Sequence, residues 1–283
     1  MSASVERVID SRDRLGEGPV WDEREQCLWW VDIHGQAIKR WRGTLESFPV
    51  PEPVGSLALR EDGGLLAAMQ SGIYVWDAEA SRLYAAQPAN PGSQRFNDGR
   101  CDRAGRFWVG TLQEPDFPPS GRLFRLDRTE LKVKRTAISV PNSLAWSPDG
   151  RTMYFADSPR HKIWAFDYDP ESGEPSNERI FASPHPGFPD GSCVDADGCL
   201  WNAEYGGARV VRYTPAGKVD RVLELPVKNP TCCAFGGSKL DILYITTAAQ
   251  RLNEAQLKEQ PLAGSLLAIR PGSTGLLESR YAG

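Results

Sequence analysis

Asp102-Arg103-Ala104-Gly105-Arg106-Phe107-Trp108 begins with a turn-forming carboxylate, passes a glycine and runs into bulky apolar residues. The same order recurs along the chain. Asp22 leads to Leu28-Trp29, Asp62-Gly63-Gly64 to Leu65-Leu66, Asp149-Gly150 to Met153-Tyr154, and Asp197-Gly198 to Leu200-Trp201. A sixth copy, Leu240 to Leu243-Tyr244, lacks the turn signal. The apolar anchors Leu28, Leu65, Phe107, Met153, Leu200 and Leu243 are 37, 42, 46, 47 and 43 residues apart. Four-stranded propeller blades repeat every ~40–50 residues, which matches that spacing.

Working outward from each anchor, a further strand follows with apolar and polar residues alternating, as in Gly72-Ile73-Tyr74-Val75-Trp76, Gly121-Arg122-Leu123-Phe124-Arg125-Leu126 and Ala208-Arg209-Val210-Val211-Arg212-Tyr213. Asp-Gly, Gly-Gly and Asn-Asp-Gly clusters supply residues that tolerate positive φ, so the chain favours sheets joined by tight turns. The pattern predicts an all-β fold, a six-bladed β-propeller forming one domain over residues 1–283, in which radial repetition leaves only short sheet edges. The run Val5-Glu6-Arg7-Val8-Ile9 is expected to complete the last blade and close the ring. Asn253 to Glu259 reads as a helix of about two turns, capped by Asn253 and stopped by Pro261.

Composition narrows the setting. With 40% hydrophobic and 25% charged residues, a formal charge of −4 and a pI near 5.6, the chain gives no electrostatic case for nucleic acid. The start, Met1-Ser2-Ala3-Ser4-Val5-Glu6-Arg7, carries neither the basic segment nor the apolar run of a secretory signal, and no apolar stretch approaches a membrane span. A cytoplasmic protein with no membrane partner is the expectation. The six cysteines, without C-x-x-C spacing, are then read as buried thiols.

Four polar residues share one register. Glu17, Asn97, Asn142 and Asp190 lie ten or eleven residues before the anchors Leu28, Phe107, Met153 and Leu200. Radial symmetry would bring them together in a central channel. Glu17, Asn142 and Asp190 then offer two carboxylates and an amide carbonyl, hard donors that suit Ca²⁺, Mg²⁺, Mn²⁺ or Fe²⁺, with Zn²⁺ also compatible. Three protein ligands leave positions open for water and substrate, the mark of a catalytic metal. Such a centre suits ester or lactone hydrolysis, with Asp190 placed to move a proton. There is no G-x-S-x-G elbow, no H-E-x-x-H and no phosphate-cradling loop. Of the three histidines, only His185 is close in sequence to Asp190, and its Pro184-His185-Pro186-Gly187 context reads as a loop at the channel mouth.

The same residues carry a resemblance spread over nearly the whole chain. Leu15-Gly16-Glu17-Gly18-Pro19, Arg95-Phe96-Asn97-Asp98-Gly99, Asn142-Ser143-Leu144-Ala145-Trp146, Tyr154-Phe155-Ala156-Asp157-Ser158, Pro189-Asp190-Gly191 and Leu200 to Gly207, in this order, resemble the gluconolactonase, regucalcin (senescence marker protein) and luciferin-regenerating-enzyme family. The resemblance implies that Glu17, Asn142 and Asp190 bind one divalent metal, that Asp190 is the acid/base residue, and that Arg95 and Asn97 hold the substrate. Two departures stand out. Asn142-Ser143-Leu144 replaces the usual Asn-Gly-Leu, which is expected to leave the ligand intact and stiffen its turn. Pro115 occupies the position of a substrate-binding Glu found in some members, so that contact does not carry over, and the adjacent Glu114 becomes the candidate in that loop. The expectation is a metal-dependent lactonase of sugar-acid lactones, in an oxidative pathway for a pentose or hexose. A phosphoester or organophosphate hydrolase on the same metal and a non-enzymatic Ca²⁺-binding propeller are the alternatives.

Overall fold

The structure, a computed structural model, describes residues 4–78, 80–88, 93–183 and 186–283. Six antiparallel sheets of four strands each form the blades. Their inner strands are Gly16–Asp22, Val54–Leu59, Gln94–Cys101, Pro141–Trp146, Phe188–Val194 and Pro230–Gly236. Each packs against the next in chain order, and the last packs against the first, so the sheets close into a six-bladed propeller. Glu6–Ile9 pairs antiparallel with Leu266–Ile269 and supplies the fourth strand of the sixth blade. The ring is thus closed by hydrogen bonds between the two ends of the chain, as the early apolar run predicts.

The six anchors sit on the second strand of each blade, and all are 2% exposed or less. Each stabilises the packing of adjacent sheets by about 1.5–3 kcal/mol. The alternating segments Gly72–Trp76, Gly121–Asp127 and Arg209–Tyr213 are third strands, because the inner strand precedes the anchor in every repeat. Carboxylates build the turns between inner and second strands. Asp102 Oδ1 accepts from the N–H groups of Ala104 (2.9 Å) and Arg106 (3.0 Å), and Asp195 Oδ1 from those of Asp197 (3.1 Å) and Cys199 (2.9 Å). The sixth repeat, which has no Asp-Gly, does turn at this point: Leu240 N–H bonds to the carbonyl of Gly237, whose φ is +81°.

The helix Glu254–Glu259 forms as its sequence directs, with Asn253 and Gln256 exchanging the two bonds of a capping box at 3.0 Å each. No helix among the described residues is long and apolar enough to cross a membrane. All six cysteines are free and buried, as expected, and Cys193 and Cys233 bring their sulfurs within 3.7 Å across two inner strands.

Candidate active site

Every inner strand breaks register with its neighbour at one place, between Glu17 and Val20 in the first blade, Phe96 and Gly99 in the third, Asn142 and Ala145 in the fourth, and Pro189 and Ser192 in the fifth. Such irregularities re-aim side chains. Counting back four residues from the partner of each anchor gives Glu17, Gly55, Asn97, Asn142, Asp190 and Thr231. The four polar residues of the shared register are therefore structural equivalents, and all four line one cavity of about 370 Å³ together with Arg95 and Glu114. The remaining two positions hold small residues for a physical reason. A Cβ on Gly55 would stand 2.3 Å from the Phe96 carbonyl oxygen, and Thr231 donates its hydroxyl to the Gly16 carbonyl beside Glu17. These two blades bring backbones together and leave the chemistry to the other four.

Carboxylates at the far end of the second strands hold the segments that enter the site. Asp32 accepts from the N–H groups of Arg14 (3.1 Å) and Leu15 (3.0 Å), just before Glu17. Asp157 accepts from those of Ser139 (3.2 Å) and Val140 (2.9 Å), just before Asn142. Glu204 takes the weaker bond from Gly187 (3.5 Å) ahead of Asp190. One device, repeated at the same offset, sets the three strand entries.

Side-chain orientation follows from an unbroken chain of hydrogen bonds. Ser158 Oγ donates to the Pro189 carbonyl (2.6 Å), which leaves it to accept from Asn142 Nδ2 (2.7 Å). Asn142 Oδ1 is thereby turned to the channel side, where it accepts from Asn97 Nδ2 (2.9 Å). Asn97 Oδ1 in turn accepts from Arg95 NH1 (2.8 Å), and the Arg95 fork grips Glu114 through Nε (3.0 Å) and NH2 (2.9 Å). A further bond from NH1 to the Phe96 carbonyl commits four of the five guanidinium N–H groups. Arg95 therefore keeps one N–H for a ligand.

Glu17 and Asp190 face each other within hydrogen-bonding reach. Burial, above all, raises both carboxyls, and their mutual repulsion and the nearby Asp98 carboxylate add to the rise in Asp190; for Glu17, Asp98 is the main added charge. Asp190 Oδ1 is shielded from solvent and has no hydrogen-bond partner among the described residues. An orphaned, buried carboxylate oxygen beside a second carboxylate and an oriented amide oxygen fits a hard cation. Among the described residues no three His, Cys, Asp or Glu side chains cluster as a metal site. Glu114 behaves in the opposite way. Burial pushes its carboxyl up, but the hydrogen bonds and charges of His34 and Arg95 outweigh it and hold the group well below its usual range.

Several residues at the site were not singled out in the sequence: Ser158, Tyr205 and Arg251, over the Phe117 ring at 5.3 Å, line the cavity, while Asp98 and His34, on Glu114 at 3.3 Å, stand behind it. Asp98 follows Asn97 directly and accepts from Leu144 N–H (2.8 Å), a role its Asn-Asp-Gly context hides as a turn. His185 lies outside the described residues.

Fold and cavity together define a six-bladed propeller whose polar side chains gather in one central pocket. The chain belongs to the SMP-30/gluconolactonase/LRE-like family, whose model matches residues 15–249. It is 38% identical over 292 residues to a 6-deoxy-6-sulfogluconolactonase of Pseudomonas putida, covering all of both chains. It is 39% identical to an L-arabinolactonase of Azospirillum brasilense, covering 98% of this chain and 95% of the other. Among solved structures it is similar to a calcium-binding protein, regucalcin, from Agrobacterium tumefaciens, with a TM-score of 0.94 and 27% identity over 99% and 97% of the two chains.

Proposed function

We propose that this protein is a divalent-metal-dependent lactonase that hydrolyses sugar-acid (aldono-) lactones to the aldonic acids. That it is a hydrolase acting on lactone ester bonds follows from its family and from relatives named as lactonases. The metal dependence rests on one observation above others, the orphaned Asp190 Oδ1 facing Glu17, with the Asn142 amide oxygen turned to the same channel. Glu17, Asn142 and Asp190 would hold the ion. When bound, a divalent cation there supplies Lewis-acid polarisation of the ring ester carbonyl.

The chain's own groups do the rest. As the carboxylate, Asp190 takes the proton of the attacking water and returns it to the ring oxygen as the ester C–O bond breaks, so no net proton is consumed before the product acid ionises. Asn97 offers its remaining Oδ1 lone pair to a substrate hydroxyl, and the uncommitted Arg95 N–H steadies the oxygen on which charge develops. Glu114 holds Arg95 in that pose, which makes it a positioning group as much as a substrate contact.

The experiment is acid release from a panel of five- and six-membered aldonolactones by chelator-treated protein, before and after adding single divalent cations. Activity should vanish and return. Asn142→Ala should be partly rescued by excess cation, since mass action restores occupancy, whereas Asp190→Ala should stay inactive because its proton carrier is gone. Full turnover by the chelated wild type would overturn the reading.

A further inference from the structure

The cavity also carries polar groups beyond Arg95 and Asn97. The segment after the strand Ile242–Thr247 crosses the channel mouth, and its backbone is fixed by bonds from Ala248 N–H to Asn229 O (2.9 Å), Ala249 N–H to Asp13 O (3.2 Å) and Gln250 N–H to Arg14 O (2.9 Å). Arg251, next in line with φ +61°, reaches over the Phe117 ring on the loop between the second and third strands of the third blade. Its guanidinium has no carboxylate partner among the described residues.

The other charges around the cavity do not answer it. Arg95 and Glu114 neutralise each other, Glu17 and Asp190 belong to the cation position, and Asp116, exposed on the rim, forms no ion pair among the described residues. Beside Arg251 stands Tyr205, close enough to feel the charges of Arg251, Asp190 and Glu17. Its hydroxyl oxygen is shielded from solvent and has the Gln250 side chain within reach, on the same lining as Arg251. A cation without an ion pair among the described residues and a shielded hydroxyl thus line one ligand-sized cavity. A planar guanidinium fork suits a carboxylate, sulfonate or phosphate far better than a neutral hydroxymethyl group.

We propose that Arg251, with the Tyr205 hydroxyl beside it, forms an anion subsite at the cavity mouth, so that the lactone turned over best carries a negative charge on its terminal carbon. This rests on the lactonase reading above and names the substrate class within it.

The test compares a six-carbon aldonolactone ending in a hydroxymethyl group with counterparts ending in carboxylate, sulfonate or phosphate, for wild type, Arg251→Gln, Arg251→Lys and Tyr205→Phe. The charged lactones should show a KM at least about tenfold lower than the neutral one at low salt, with the gap narrowing as ionic strength rises. Arg251→Gln should lower kcat/KM for the charged lactones at least about tenfold more than for the neutral lactone, with Arg251→Lys intermediate and Tyr205→Phe losing a smaller part of the preference. Which of the three anions ranks first identifies the terminal group. A neutral lactone preferred by wild type, or equal losses on both substrate kinds in Arg251→Gln, overturns the proposal. Calorimetric binding of the hydrolysed acids decides it independently of turnover: if no lactone is hydrolysed, the lactonase reading fails, while the subsite still stands or falls on whether Arg251→Gln weakens the terminally charged acid at least about tenfold more than the neutral-ended one.

Discussion

Ser143 shows how a single side chain can pay for an awkward backbone. Its φ of +58° lies in the left-handed region, at the position where the resembling family carries glycine. The hydroxyl offsets that cost by donating to the Asp190 carbonyl (2.6 Å) and accepting from Asn202 Nδ2 (2.9 Å), which ties the fourth blade to the fifth beside the proposed ligands. Ser143→Gly removes the strain together with the bond, whereas Ser143→Ala keeps the strain of about 1–2 kcal/mol and loses the bond. Thermal denaturation should therefore place the Ala variant below the Gly variant, and the reverse order would show that the left-handed backbone at this position is not strained. Glu114 gives a pH-dependent counterpart. Its carboxyl is depressed in the folded protein, so its contribution to stability is present above the ordinary value of 4.5 and is lost as pH falls through the lower folded value. Glu114→Gln should cost about 2–3 kcal/mol near neutrality by leaving the buried Arg95 charge without its fork partner, and the deficit should shrink in strong acid. Denaturant titrations of both proteins across that range would measure it, and a deficit independent of pH would exclude the ionised pair.

At the scale of strands and turns, the sequence exposes what repeats and hides what does not. Leu28, Phe107 and Leu200 are readable because each must fill the same space between sheets, and Glu17, Asn97, Asn142 and Asp190 because the same irregularity follows each anchor's blade. His34, Tyr205 and Arg251 belong to the ends and connections of strands, where no periodicity constrains the chain, and their approach to the cavity depends on three-dimensional closure. Asp157 lies between these cases. It ends a second strand, as Asp32 does and as Glu204 nearly does, yet its task of binding two N–H groups ahead of Asn142 emerges only when the strands are paired. Asp157→Ala should strip partners from the Ser139 and Val140 N–H groups, costing about 2–3 kcal/mol. Because the entry to the Asn142 strand then loosens, apparent affinity for a divalent cation should fall about tenfold or more. A metal titration in which affinity is retained while stability drops would separate the strand's anchoring from the site.

The propeller as a whole places buried carboxylates where its six inner strands meet, and this has a cost for the metal-free molecule. Closing the ring through Glu6–Ile9 fixes the inner strands around the channel, so Glu17 and Asp190 cannot separate without opening packed blades. The ring itself was legible from six spaced anchors, but the sign of this central tension was not, since it depends on how closely the two carboxylates and Asp98 approach one another. Burial raises Glu17 and Asp190 above their ordinary values, with Asp98 adding to the rise in Glu17 and Glu17 and Asp98 adding to that in Asp190. A raised carboxyl binds its proton more tightly in the folded chain, so the associated stability is complete below the ordinary carboxylate range and disappears as pH rises through the raised values. Metal-free protein should therefore lose melting temperature across that window. A divalent cation binds the deprotonated donors and should reverse the loss, so the stability gained on adding it, read as a rise in Tm, should increase with pH, reaching about 2.7 kcal/mol at a hundredfold excess over Kd. Melting curves with chelator and with cation, taken from acid to mildly alkaline pH, test this directly. A cation-induced shift that is the same at every pH, or is retained in Glu17→Gln/Asp190→Asn, would place the ion somewhere other than between these two side chains.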